Sequence, residues 1–142
     1  EARHKFAQSI NITPEKIAVN KDEEAFIAKI MEAIEKNIDN VDYTIDQLAV
    51  DTAVSRTNLY KRIKHMLGIT PNEFIRNVKM KYAARLLTET SISVTEVSLM
   101  VGFQTPRYFS QCFKRVFGVL PTEYRGASDD APQQPNTAVI NK

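Results

Sequence analysis

From Asp22 onward, apolar residues recur at steps of three and four. Phe26, Ile27, Ile30, Met31, Ile34 and Ile38 share one helical face. Asp22, Glu23 and Glu24 lie where the positive end of the macrodipole favours carboxylates. The spacing predicts an amphipathic helix ending near residues 37–40. Thr44-x-x-Gln47 has the form of a capping box and predicts a short helix from Ile45 to about Thr52. Ser55 offers the next N-cap, ahead of a stripe of Leu59, Ile63, Met66 and Leu67 that Gly68 closes. Arg56, Asn58, Lys61, Arg62 and Lys64 lie largely off that stripe.

Thr70-Pro71-Asn72-Glu73 opens a longer helix, because Thr caps, Pro fits the first helical position and Glu completes the box. Phe74, Ile75, Val78, Tyr82 and Leu86 carry it to about Thr88, roughly 27 Å at 1.5 Å per residue. Ser93-x-x-Glu96 starts a short helix ending near Val101, and Gly102 breaks it. Thr105-Pro106 starts a helix with the stripe Phe109, Cys112, Phe113, Val116 and Phe117, ended by Gly118. Pro121 begins a last turn. The expected fold is all-α, about seven helices, with two helix-turn-helix subdomains joined by a long linking helix.

The two halves repeat one another. TIDQLAV matches SVTEVSL, and LYKRIKHMLGITPNEF matches FSQCFKRVFGVLPTEY. Each half is a short helix, a tight turn and a second helix with cations on its exposed side. This is the sequence form of a helix-turn-helix, whose second helix can enter a DNA major groove. On the residues alone, a structural repeat of stacked helical hairpins stays open beside it.

Composition narrows the choice. With 43% hydrophobic and 25% charged residues, the chain is ordinary for a soluble domain, and no apolar run approaches the ~20 residues of a spanning helix. One cysteine and two histidines exclude an internal disulfide and a four-ligand zinc site. No Ser, Cys, His and acid arrangement suggests a nucleophile with its base, and no Gly-rich phosphate loop occurs, so nothing argues for an enzyme or a cofactor. Cys112 belongs to an apolar stripe and is expected in the core; His65 is expected to pack at a helix end.

The net charge of +2 is unevenly distributed. Residues 1–40 carry six Lys/Arg against eight Asp/Glu, whereas residues 41–126 carry twelve against seven. Between Arg56 and Arg85 eight basic residues face the single acid Glu73. Such a field suits a polyanion. Residues 1–21 lack a sustained period and are expected to be a linker from an upstream domain, with the DNA-binding domain over 22–126. The last stretch, 127–142, has a composition expected to be disordered. The start at Glu1 without methionine or a signal-peptide pattern leads to the expectation of a fragment of a larger protein.

Val101-Gly102-Phe103, Tyr108-Phe109, Phe113-Lys114, Phe117-Gly118, Pro121 and Tyr124-Arg125 closely resemble the signature of the AraC/XylS family of bacterial transcription regulators. Leu48-Ala49, Ser55-Arg56, Leu59-Tyr60 and Gly68-x-x-Pro71 resemble that family's first helix-turn-helix. The resemblance covers about Ile34 to Arg125. It implies second helices set in successive major grooves of double-stranded DNA, and a cytoplasmic activator or repressor that recruits RNA polymerase. Arg3, Lys5-Phe6 and Ile12-Thr13-Pro14-Glu15 resemble the linker after a receiver domain in hybrid two-component sensors. That implies an upstream receiver or sensor as a partner, with no membrane contact by this segment. Two positions depart from the pattern: Ala53 stands where the second turn has Gly102, and Ser98 replaces a small apolar residue.

The candidate DNA-binding residues are Arg56, Thr57, Tyr60, Lys61 and Lys64 in the first unit, and Gln104, Pro106, Arg107, Ser110, Gln111 and Lys114 in the second. Arg107 and Gln111, one turn apart, are the base-reading candidates, since Arg suits guanine O6/N7 and Gln suits adenine N6/N7. Phosphate contact for Arg107 and plain exposure for Gln111 stay open. Thr44, Ser55, Ser93 and Thr105 read as caps. Arg76, Lys79, Lys81 and Arg85 on the linking helix either support phosphate contacts or keep that helix soluble. The competing function is a helical protein-interaction module docking on polymerase or on an upstream domain.

Overall fold

Helix boundaries fall where side chains can satisfy free backbone groups. In the computed structural model, which describes residues 20–128, α1 (Lys21–Lys36) is capped by Asn20, whose side chain accepts from the Glu23 N–H. Five more helices follow: α2 (Ile45–Thr52), α3 (Arg56–Leu67), α4 (Pro71–Glu89), α5 (Val94–Met100) and α6 (Pro106–Phe117). They begin after Thr44, Ser55, Thr70, Ser93 and Thr105, each hydroxyl accepting from the third backbone N–H of its helix. The order closes with α7 (Pro121–Ser128), and no strand occurs among the described residues. Among the described residues the all-α expectation stands, with the seven helices it foresaw. The expected linker and tail lie outside the described residues apart from their inner edges, as does His4.

The expected boxes at Thr70 and Thr44 have different outcomes. Thr70 and Glu73 form the full reciprocal box. The Gln47 amide instead donates to Asp51 Oδ1 at 3.0 Å, so its cap relies on Thr44 alone for that exchange. His65, expected to pack, is exposed in the last turn of α3.

The linking helix α4 is 19 residues long, about 28 Å at 1.5 Å per residue. It serves two cores. Phe74, Ile75 and Val78 join Phe26, Ile27, Ile30, Ile34, Leu48, Leu59 and Ile63 in the first. Met80, Ala83, Ala84 and Leu87 join Val97, Val101, Phe103, Phe109, Cys112 and Phe113 in the second. The stripe expected through Tyr82 and Leu86 is thus incomplete, because both are only half-buried while Met80 and Leu87 are fully buried. A helix sandwiched between two cores has no wide polar face, so one apolar stripe cannot describe it.

α1 packs against α2 and α4, and α7 packs against α4 and α6. Arg125 fastens α7 to the end of the linking helix. Its buried guanidinium donates to the carbonyls of Leu87 (2.9 Å), Thr90 (3.3 Å) and Ile92 (2.7 Å). No described helix is long and apolar enough to cross a membrane.

Candidate nucleic-acid interface

The turns that aim the second helix of each unit share one geometry. Ala53 ends α2 in the left-handed region at φ 58°, and Gly102 follows α5 at φ 78°. Val54 N–H reaches back to Ala49 O at 3.1 Å, and Phe103 N–H to Ser98 O at 2.9 Å. Both bonds are the six-to-one closure of a helix end. Ser98 fits its fully buried place because its hydroxyl donates to Thr95 O at 2.7 Å.

Leu59 and Ile63 anchor α3 in the first core, leaving Arg56, Thr57, Lys61 and Lys64 exposed. Tyr60 is half-buried against that core, and the Arg56 guanidinium lies 5.9 Å from its ring centroid. Arg56 also pairs with Asp46 on α2 at 3.0 Å. Arg62 turns to α1 instead, stacking 4.0 Å from the Phe26 ring centroid and pairing with Asp22 at 3.2 Å.

Phe109, Cys112, Phe113 and Val116 anchor α6, with Cys112 in the core as expected. Phe113 packs on Phe117 with centroids 4.4 Å apart and meets Tyr124 edge-on at 5.3 Å. This aromatic wall holds the opposite face outward. Gln104, Pro106, Arg107, Gln111 and Lys114 are exposed, and Ser110 is half-buried. Arg107, Ser110, Gln111 and Lys114 share one groove, completed by Arg115 and Leu120. Arg115 was not among the candidates singled out in the sequence, yet it lines the same groove; its cue was its place beside Lys114 in the last turn. Arg107, Lys114 and Arg115 make no ion pair among the described residues, so their charges face solvent uncancelled.

Ser55 Oγ and Thr105 Oγ1 are engaged as caps at 3.1 Å each. On the linking helix one expectation is corrected. Lys79 neither projects to a phosphate nor solubilises a surface: it is buried, and its Nζ donates to Asn40 O and Gly102 O at 3.4 Å each. Burial lowers its pKa, while the charge of Asp39 works in the opposite sense. Arg85 is exposed and pairs with Glu89 at 3.7 Å. Arg76 and Lys81 are half-buried. Among the described residues no His, Cys, Asp and Glu cluster could hold a metal ion.

The family model described as a helix-turn-helix domain matches residues 48–127. Histidine kinase P4 of Formosa agariphila is 36% identical over 121 residues, which are 85% of this chain and 9% of that protein. The chain therefore spans about a tenth of that relative's length. A transcriptional regulator of Chromobacterium violaceum with an AraC-type DNA-binding domain superposes with a TM-score of 0.71 at 26% identity, over 79% of this chain and 99% of that one. The DNA-binding domain of AdpA, a global transcriptional factor in complex with a target DNA, superposes at 0.66 with 25% identity, over 76% and 96% of the two chains.

Proposed function

Because the chain belongs to the AraC-type helix-turn-helix family, we propose that it binds double-stranded DNA by sequence and regulates transcription, with α3 and α6 reading successive major grooves. One observation carries this reading: the repeat builds two equivalent turns on one linking helix, and each turn presents an exposed polar face that the cores leave free. Grooves on one side of a duplex lie ~34 Å apart, a span that suits a linking helix of about 28 Å with its flanking loops.

Arg107 of α6 makes no ion pair among the described residues whereas Arg56 of α3 is paired with Asp46, which favours the second unit as the stronger reader. Arg107 takes guanine O6/N7, Gln111 takes adenine N6/N7, and Lys114 with Arg115 holds the backbone. Gln104, Pro106 and Ser110 shape the approach. In the first unit Thr57, Lys61 and Lys64 face the groove, with Arg56 reaching it from beside Tyr60. DNA binding of this kind needs no covalent chemistry, and the unit acts without a cofactor.

The domain extends over residues 22–126, joined through 1–21 to an upstream receiver or sensor and followed by a tail over 127–142. The kinase relative supports a role as the output module of a larger signal-responsive protein, and transcriptional control implies the cytoplasm and contact with RNA polymerase. Selection from a random duplex pool, followed by mobility shifts at low and moderate salt, tests the reading. The expected result is one asymmetric site bound far more tightly than unrelated DNA. Binding without sequence preference at either salt level would contradict it.

A further inference from the structure

Where the first part of α4 meets the turn and the start of the second reading helix runs an open cleft of about 270 Å³ whose walls include Asn72, Arg76, Lys79, Gln104 and Tyr108. Arg76 is half-buried there and makes no ion pair among the described residues, whereas Arg56, Arg62 and Arg85 each have a carboxylate partner. Lys79, almost one turn further along α4, is 7% exposed and donates to two carbonyls, not to an acid. Two cations thus line one cleft: neither makes an ion pair among the described residues, and of the two the charge of Asp39 acts on Lys79. The side chains of Asn72, Gln104 and Tyr108 add neutral hydrogen-bond donors.

Behind this cleft the second turn leaves no room for a side chain at Gly102. A Cβ on Gly102 would lie 2.6 Å from Ile38 O and 2.9 Å from Lys79 Nζ. Glycine therefore lets the second turn close onto the lysine and onto the chain leaving α1. Asn72 lies at the start of the linking helix, just beyond the first reading helix, and Gln104 and Tyr108 flank the start of the second. The cleft thus runs along the linking helix and adjoins the second reading face, where Gln104 lies on its rim. A duplex that offers successive major grooves to the two reading faces must carry its backbone across the interval. Each duplex brings one negative charge per ≈ 1.7 Å of axis there.

We propose that this cleft seats a backbone phosphate of the bound duplex, with Arg76 as the direct contact and Lys79 as the residue that holds the walls in place. The inference rests on the DNA-binding reading above and adds a third point of attachment, on the linking helix. A contact at this point fixes the register between the two readers while carrying no base preference of its own.

The test uses the intact chain and its selected duplex. Arg76→Gln should weaken binding about tenfold at moderate salt, equally on the preferred site and on every single-base variant, and should lower the salt slope by about one. Arg76→Lys should retain the slope. Phosphate ethylation between the two grooves should block the unaltered chain and have little effect on Arg76→Gln. Thermal melting checks that the variants fold, and the ethylation pattern with Arg76→Lys decides the matter if Arg76→Gln proves unstable. Selective binding by the unaltered chain, with an unchanged slope in Arg76→Gln or no interfering phosphate between the grooves, would overturn the cleft assignment alone. Failure of the unaltered chain to select any duplex would overturn the cleft and the DNA-binding reading together.

Discussion

Ala53 and Gly102 occupy the same left-handed position in the two turns, yet only the glycine is required by its neighbours. The Ala53 methyl is exposed, while a Cβ at Gly102 would strike the Ile38 carbonyl. The first turn therefore carries only backbone strain, and the second would carry strain plus a clash.

Ala53→Gly should raise stability by about 0.5–1 kcal/mol, the relief of left-handed strain reduced by the added freedom of the unfolded chain. Gly102→Ala should lower it by about 1–3 kcal/mol. Urea unfolding checks both, with an unchanged m-value as the sign that only stability moved.

Arg125 ties the last helix to the end of the linking helix through three carbonyls. Arg125→Met would strand the carbonyls of Leu87, Thr90 and Ile92 that its guanidinium now serves. A loss of about 3 kcal/mol or more is expected, since bonds from a charged donor are worth ≈ 1.5–3 kcal/mol each and buried acceptors are costly to leave unmet. Arg125→Lys should recover only part of it, because an ammonium cannot span the same fork. The check is the unfolding midpoint of both variants.

Local chemistry explains what was legible in the sequence. Thr44, Ser55, Thr70, Ser93 and Thr105 announce their helices because a cap acts within four residues, and Gly68, Gly102 and Gly118 mark left-handed ends for the same reason. Lys79, Asn77 and Arg125 were not legible as buried residues. The partners of Lys79 stand 39 and 23 residues away and those of Arg125 33 to 38, distances at which a helical period carries no information. The candidate readers on α6 were legible because Phe109, Cys112, Phe113 and Val116 leave only one face outward. Arg76 was named with its neighbours, but only the fold shows that it is half-buried in the cleft while Lys79 is buried behind it and Arg85 lies outside it.

Tyr43 gives the fold an alkaline limit. Its hydroxyl donates to Asp51 Oδ2 at 2.8 Å, and burial, with that bond and the Asp51 charge, raises its pKa. A raised folded pKa means the contribution to stability is fully present below the unfolded value of about 10 and is lost as pH climbs through the folded value. Tyr43→Phe should cost about 1 kcal/mol at neutral pH. The gap between the two proteins should hold constant to about pH 10 and shrink above it. Urea unfolding from pH 8 to pH 11 reads the difference.

Reading and holding separate on α6. Arg107→Ala should cost roughly 1–3 kcal/mol on the preferred site and relax the preference at one base pair. Lys114→Ala should weaken every sequence alike and lower the salt slope by about one. Titrations against all single-base variants at several salt concentrations distinguish them. Uniform loss in Arg107→Ala would make that residue a backbone anchor.

The central claim is that one chain uses two unlike readers in successive major grooves. Methylation interference at guanine N7 on the selected duplex tests it most directly, because that atom lies in the major groove. Two interfering clusters about one helical turn, 10–10.5 base pairs, apart on one face, unlike in sequence and both assigned to a single chain, are the predicted result. A single cluster per chain would contradict it.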